Sequence, residues 1–341
     1  MTRSACIHAL QEAWRSRGPL AVALLPLSAL FGLLSAIRRL AYRVGLAKTR
    51  RLSVPVVVVG NLIVGGAGKT PTVIAVVELL RRHGYAPGVI ARGYGRRESR
   101  RPGALVVGEQ TTAAECGDEP KLLALRTRAP TAVARDRVAA GEALLRAHPE
   151  VNIIVSDDGL QHFALARDAQ VIVFDERGVG NGWLLPAGPL RERAVSRPAR
   201  SAVLYNALAP NTPWAGSLAQ RGLTGVAPLA QWWQGAGVSL DALAALRGRR
   251  LTAAAGIANP TRFFELLRAQ GLQFTELPLP DHHDYAALPW PAGTPDVVVT
   301  EKDAVKLDPQ RMSATRVWVA ALDFRTSPQF DRELIALLPP R

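Results

Sequence analysis

Past residue 50 the chain alternates short apolar runs with stretches of helical periodicity. Val56–Val59 is a β-branched run of the kind a strand buried on both faces requires. Comparable runs fall at Gly88–Ala91, Ala104–Val107, Thr131–Ala134, Asn152–Ser156, Val171–Phe174 and Ala202–Tyr205, with helices predicted over Val73–Arg82 and Arg137–Ala147. Strands alternating with helices predict an α/β fold with a doubly wound parallel sheet. From Asn206 to Gly237 the rhythm loosens in a stretch carrying Pro, Gly and Trp. A second α/β run follows, with strands Leu251–Ala255, Gln273–Leu277, Asp296–Thr300 and Arg316–Ala320 and helices Thr261–Gln270 and Gln329–Leu338. The pattern divides the chain into an N-terminal segment (1–50), a first α/β domain (51–205), a linker (206–245) and a smaller C-terminal α/β domain (246–341).

The N-terminal segment breaks this alternation. Gly18 to Ile37 is twenty residues without a charge, the length that crosses a bilayer. Arg15 and Arg17 precede it, and Arg38, Arg39, Arg43, Lys48, Arg50 and Arg51 follow. If it spans, the heavier positive flank puts the remainder in the cytoplasm. Pro26, Ser28 and Ser35 weaken a simple span. A helix lying in the interface, its arginines on phospholipid headgroups, competes with that reading, and a buried core helix is the third. A cleaved signal peptide fits poorly, because the run is long and no clear small-residue cleavage site precedes the arginines. The net charge of +14 suits anionic partners. Arginine is scattered rather than clustered with aromatics, so nucleic acid is not among the partners expected. Cys6 and Cys116 are too few for a disulfide framework.

The chemistry starts after the first strand. Val54 to Pro71 reads VPVVVVGNLIVGGAGKTP. Strand, glycine-rich turn, Lys-Thr and helix make a phosphate-binding loop over Ile63, Val64, Gly65, Gly66, Ala67, Gly68, Lys69 and Thr70. Glycines let backbone N–H groups wrap phosphate oxygens, and the helix N-terminus adds positive potential. Lys69 would reach the β- and γ-phosphates, and the Thr70 hydroxyl would ligate Mg²⁺. The usual pattern places glycine where Ile63 stands. Lysine is scarce, five of 42 basic side chains, so one at this position is not background.

Other motifs lie at the ends of predicted strands, where open α/β sheets gather their ligands. VNIIVSDDGLQH ends a strand with Asp157 and Asp158, placed for Mg²⁺, and continues to Gln161 and His162. A turn or cap is the plain alternative for the aspartates. ARGYGRR, Ala91 to Arg97, offers Arg92 and Tyr94 to an anionic, ring-bearing ligand. ECGDEP sets Asp118 before a helix starting near Pro120, as cap or as base. GNGWLLPAGPLRE leads to Arg191, which could neutralise a transferring phosphoryl group, and Glu192, which could join a metal shell. LPDHHDY holds His282 and His283 between carboxylates without a zinc-ligand spacing, so a histidine polarising a carboxylate is the better reading. TEKDAVKL, Thr300 to Leu307, carries two of the five lysines toward nucleotide or anionic substrate, or simply caps a helix.

Together these motifs resemble the tetraacyldisaccharide 4′-kinase family, over a stretch from about Val54 to Leu307. The resemblance implies a P-loop NTPase-like domain, a smaller α/β/α domain, a two-stranded linker and an N-terminal helix toward the inner membrane's cytoplasmic face. It implies transfer of the ATP γ-phosphate, with Mg²⁺, to the 4′-hydroxyl of a tetraacylated glucosamine disaccharide 1-phosphate among inner-membrane lipids. On matching positions, Lys69 and Thr70 serve the triphosphate and Mg²⁺, and Asp118 is the base with His282 as partner. Asp157, Asp158 and Glu192 form the metal environment, and Arg92, Tyr94, Gln161, His162 and Arg191 line the acceptor or phosphate site. The displaced glycine is typical of that family. The rival is a membrane-associated regulatory ATPase of the partition or targeting type, whose loops carry lysine where Val64 stands.

Overall fold

A computed structural model describes residues 9–96, 103–312 and 315–340. Two sheets organise the chain. The first has eight strands in the order β3-β4-β2-β5-β1-β6-β7-β8. These are β1 Val56–Gly60, β2 Pro87–Ala91, β3 Leu105–Val106, β4 Thr131–Val133, β5 Ile153–Asp157, β6 Ala169–Asp175, β7 Ser201–Asn206 and β8 Ser217–Leu218. Every pairing is parallel except the edge strand β3 on β4. The alternation of side chains explains why β1 reads as unbroken valine. Val56 and Val58 enter one core, shared with the helix Arg137–Ala147, while Val57 and Val59 enter the opposite core beneath the helix Lys69–Arg82. Each such burial contributes roughly 1.5–3 kcal/mol against leaving the side chain in water.

The second sheet has five strands in the order β11-β10-β12-β13-β9, namely β9 Gln220–Pro228, β10 Leu251–Ala255, β11 Phe274–Pro278, β12 Asp296–Thr300 and β13 Arg316–Arg325. It too separates two cores. Val298 packs with Phe263, Phe264 and Leu267 of the helix Pro260–Ala269, whereas Val297 and Val299 face Trp232, Tyr285 and Trp290. β9 pairs antiparallel with β13 from Trp318↔Pro228 to Arg325↔Gln220, with a register shift at Ala321/Leu322. This ribbon joins the sheets, because β9 starts two residues after β8 and β13 leads into the helix Pro328–Ala336. That helix returns to the first sheet, where Phe330 and Leu334 join the core of Val57 and Val59. The second sheet thus ends its membership with β13 and does not extend to the chain's last residues.

The N-terminal helix Leu25–Arg43 follows a short helix, Pro19–Ala23. It lies on the loop between β6 and β7. Ser28 Oγ donates to Leu184 O at 2.7 Å, and Trp14 Nε1 and Arg17 Nε donate to Pro186 O and Asn181 O. Phe31 packs against the first core, but most of the helix's apolar surface has no cover: Leu27, Leu30, Leu33, Leu34, Ile37 and Leu40 are each more than half exposed. A buried core helix is therefore excluded. Among the described residues this is the one helix long and apolar enough to cross a membrane.

Candidate active site

β1 delivers the chain into the phosphate loop at the middle of the first sheet. Gly65 and Gly68 take left-handed φ of 97° and 84°, which lets the loop turn back to open the helix at Lys69. A Cβ on Gly68 would collide with the Asn206 amide. Lys69 Nζ lies 3.3 Å from Asn61 Oδ1, 3.4 Å from Gly65 O and 3.7 Å from Asp158 Oδ1. Thr70 is half-buried in the first helical turn. Ile63 and Val64 tie the start of the loop to the segment before Arg191. Ile63 is buried in a bridge with Leu190, and Val64 N donates to Pro189 O at 2.9 Å. Two side chains hold the loop's carbonyls. Asn206 Nδ2 donates to Ala67 O at 2.9 Å, and Arg177 donates to Val64 O and Gly66 O at 3.0 and 3.1 Å while paired with Asp175.

β5 ends beside the loop with Asp157, 4% exposed, whose Oδ1 has no hydrogen-bond partner. Burial, reinforced by Glu119 and Asp158 and opposed by Lys69 and Arg137, pushes its carboxyl up to about 7. Asp158 takes a left-handed φ of 46° and meets Arg191 Nη1 at 3.0 and 3.2 Å. Burial pushes Asp158 upward, but Lys69 and Arg191 outweigh it and hold the carboxyl below its ordinary range. Beneath both, Arg137 is 3% exposed and donates to Asp157 O at 3.0 Å. Desolvation draws its guanidinium down to about 10. His162 Nε2 accepts from Arg137 N at 3.4 Å and lies 3.6 Å from Asp136. Burial, with Arg137 beside it, lowers its pKa and favours the neutral ring. Gln161 donates to Glu192 Oε1 at 2.8 Å, and Arg39 of the N-terminal helix approaches Glu192 at 3.7 Å.

The opposite wall comes partly from the second sheet. Asp118 opens the helix Asp118–Thr127, and His282 Nδ1 reaches its Oδ2 at 3.1 Å from the loop after β11. His282 holds a left-handed φ of 61° to do so, a conformation His tolerates better than bulkier residues. His283 turns away and packs edge-on against Tyr285, centroids 4.8 Å apart. The Tyr94 ring sits 5.9 Å from that of His282 and is 71% exposed, and Arg92 beside it is exposed as well. Gly93 and Gly117 allow this approach, since a Cβ on Gly117 would lie 2.7 Å from Tyr94 O. The end of the motif at Arg97 lies outside the described residues. A crevice of about 750 Å³ runs between these walls, lined by Lys69, Tyr94, Asp157, His162, Arg191 and His282 among others.

Whether Mg²⁺ fits can be judged from the donors. Mg²⁺ is usually held by one or two carboxylates together with phosphate oxygens and water. The orphaned Asp157 Oδ1, at the end of the strand paired with β1, and the Thr70 hydroxyl, in the first turn of the helix after the phosphate loop, are donors of that kind. Asp158 and Glu192, also expected near the metal, are engaged by Lys69, Arg191, Gln161 and Arg39. No cluster of three or more metal-binding side chains occurs among the described residues. The sequence reading singled out no role for Asn61, Arg137, Arg177 or Asn206. Of these, Arg177 and Asn206 stand at or just past the carboxyl ends of β6 and β7, where strand position alone could have flagged them.

A glycine cradle and buried aspartate on one wall, with a carboxylate–histidine pair on the other, fit a P-loop phosphotransferase. Comparison with known proteins narrows the class. The profile of the family described as tetraacyldisaccharide-1-P 4′-kinase matches residues 20–339. A protein named tetraacyldisaccharide 4′-kinase from Methylibium petroleiphilum is 55% identical over 338 residues, covering 97% of this chain and 93% of its own length. One of the same name from Leptothrix cholodnii is 52% identical, covering 97% and 96%. The crystal structure of "apo" form LpxK from Aquifex aeolicus in complex with ATP matches with a TM-score of 0.77 and 26% identity, over 94% of this chain and 100% of that one. The chain belongs to the tetraacyldisaccharide 4′-kinase family, and with it to the ATP-dependent kinases of lipid A biosynthesis. Family membership sets the regulatory-ATPase alternative aside.

Proposed function

We propose that this chain moves the γ-phosphoryl group of ATP onto the 4′-hydroxyl of a tetraacylated disaccharide 1-phosphate, with Asp118 accepting the hydroxyl proton. One observation carries the reading: His282, which reaches Asp118 at 3.1 Å, lines the crevice that Lys69 enters from the other side, and Glu119 next to Asp118 lines it too. As the acceptor oxygen bonds to phosphorus, the bond to the departing diphosphate breaks and the proton passes to Asp118. His282 steadies the carboxylate. Lys69 and Arg191 neutralise charge on the phosphates, and Thr70 and Asp157 would hold Mg²⁺, which supplies further neutralisation when bound. Arg92 and Tyr94, exposed at the rim, are suited to the sugar or its phosphate. Gln161 and His162 line the same wall, and Glu192 anchors the network that orients Arg191.

The uncovered leucines of Leu25–Arg43, next to Arg38, Arg39 and Arg43, support placing this helix in the cytoplasmic face of the inner membrane, beside the lipid acceptor. The reading keeps a membrane segment to residue 50, a kinase domain over 51–205, a linker over 206–245 and a second domain from 246. The last helix is returned to the first domain, with the β9–β13 ribbon as the connection. Incubation with γ-labelled ATP and the disaccharide lipid tests the proposal: label in the lipid supports it, and label only in inorganic phosphate refutes it.

A further inference from the structure

The motif Thr300–Leu307 docks where the two sheets meet. From it, Glu301 pairs with Arg126, Lys302 with Glu119 at 3.4 Å, and Lys306 with Asp118 at 3.7 Å. All three partners lie on the helix Asp118–Thr127. Lys306 is the odd member. Its side chain is 6% exposed and its Nζ has no hydrogen-bond partner. A buried ammonium persists only where opposite charge offsets its lost hydration. Two carboxylates do so here, Asp303 Oδ1 at 3.5 Å and Asp118 Oδ2 at 3.7 Å, with the Tyr285 ring 5.2 Å beneath. Asp303 is itself immobile: fully buried, it accepts from Gly256 N and from Thr300 Oγ1.

We infer that Lys306 is a positioning residue for phosphoryl transfer, fixing the Asp118 carboxylate from the second sheet alongside His282. The inference rests on Asp118 being the base. Both partners, His282 and Lys306, engage the same oxygen, Oδ2. His282 alone leaves the carboxylate free to swing about its last torsion, whereas a second contact on Oδ2 from another direction restricts that rotation. In a loose phosphoryl-transfer transition state little proton transfer precedes bond making, so the placement of the accepting carboxylate counts for more than its strength as a base.

The test uses the full-length enzyme in detergent–lipid micelles. Lys306→Met is expected to lower kcat roughly tenfold to a hundredfold, a share of what a placed base supplies, with ATP KM within about twofold of wild type. Lys306→Arg, which keeps the charge, should restore most of the loss. In an Asp118→Asn background, Lys306→Met should cost almost nothing further. Wild-type kcat in Lys306→Met overturns the inference. So does an equal loss in a folded Lys306→Arg, or multiplicative losses in the double variant. If Lys306→Met fails to fold by thermal melting, Lys306→Gln takes its place under the same criteria. Unimpaired Asp118→Asn would sink the base assignment itself, whereas inactive Asp118→Asn beside active Lys306→Met would sink only the role of Lys306.

Discussion

The two walls of the crevice are built in opposite ways. The nucleotide wall is local: Gly65 through Thr70 are contiguous, and Asp157 and Asp158 end the strand hydrogen-bonded beside β1. The acceptor wall is assembled at long range. Asp118 and His282 are 164 residues apart and come from elements on different sheets. A local wall is specified by strand pairing and glycine placement, so it forms with its own domain. An assembled wall exists only where elements of the two sheets meet, so a motion that parts them would interrupt turnover and spare the phosphoryl group from water.

Substitutions can separate the walls. Lys69→Ala strips the charge facing the phosphates and should depress kcat/KM by about 10³ or more, the scale of a lost transition-state donor; near-normal turnover would remove Lys69 from the chemistry. Asp118→Ala should lower kcat by 10²–10⁴ with little change in ATP KM. A rise in ATP KM at normal kcat would show instead that the two walls are not independent.

Asp157→Asn tests the electrostatics of the local wall in metal-free protein. In the folded chain Asp157 ionises near 7, against an ordinary 3.8. Between those values the native state holds a proton that the unfolded chain has released, so this group's contribution to stability falls as pH rises. Above 7 both states are ionised and the penalty is constant. The asparagine variant should therefore melt at higher temperature than wild type at pH 8 and near the wild-type temperature at pH 4. A pH-independent difference would contradict this account.

Arg177→Ala removes the brace on Val64 O and Gly66 O and should raise ATP KM roughly tenfold, as for loss of a charged hydrogen bond, while kcat holds; isothermal titration with ATP would detect it. Changing Leu27, Leu30 and Leu34 to Ser should cause the smallest catalytic change. These side chains touch no core, so the melting temperature should stay put while protein moves from the membrane pellet to the supernatant. Unaltered sedimentation would argue against the membrane role of this face.

This contrast also explains what the sequence disclosed. β-Branched runs and one glycine cluster announce the local wall, and β1, β2, β5, β6 and β7 fall within two residues of their predicted ends. Periodicity did not show the strand β9, which only the two-stranded linker of the resemblance implied, because its apolar residues alternate with Gly and polar positions in an antiparallel ribbon whose partner lies about a hundred residues on. The return of Pro328–Ala336 to the first sheet was equally hidden, since periodicity reports a buried face but not what buries it. At the site, motif chemistry indicated Asp118 and His282 before any geometry. It could not indicate Arg177, whose role is to hold backbone carbonyls and leaves no mark beyond a strand end.

The seating of the N-terminal helix bears on how the enzyme can be handled. Trp14, Arg17 and Ser28 tie that segment to the turn ending in Arg191 and Glu192, and Arg39 touches Glu192 directly. Trimming the first 37 residues to obtain a water-soluble fragment would knock out a strut under Arg191. Sluggishness in such a fragment would then report a sagging scaffold, and would say nothing of a missing bilayer.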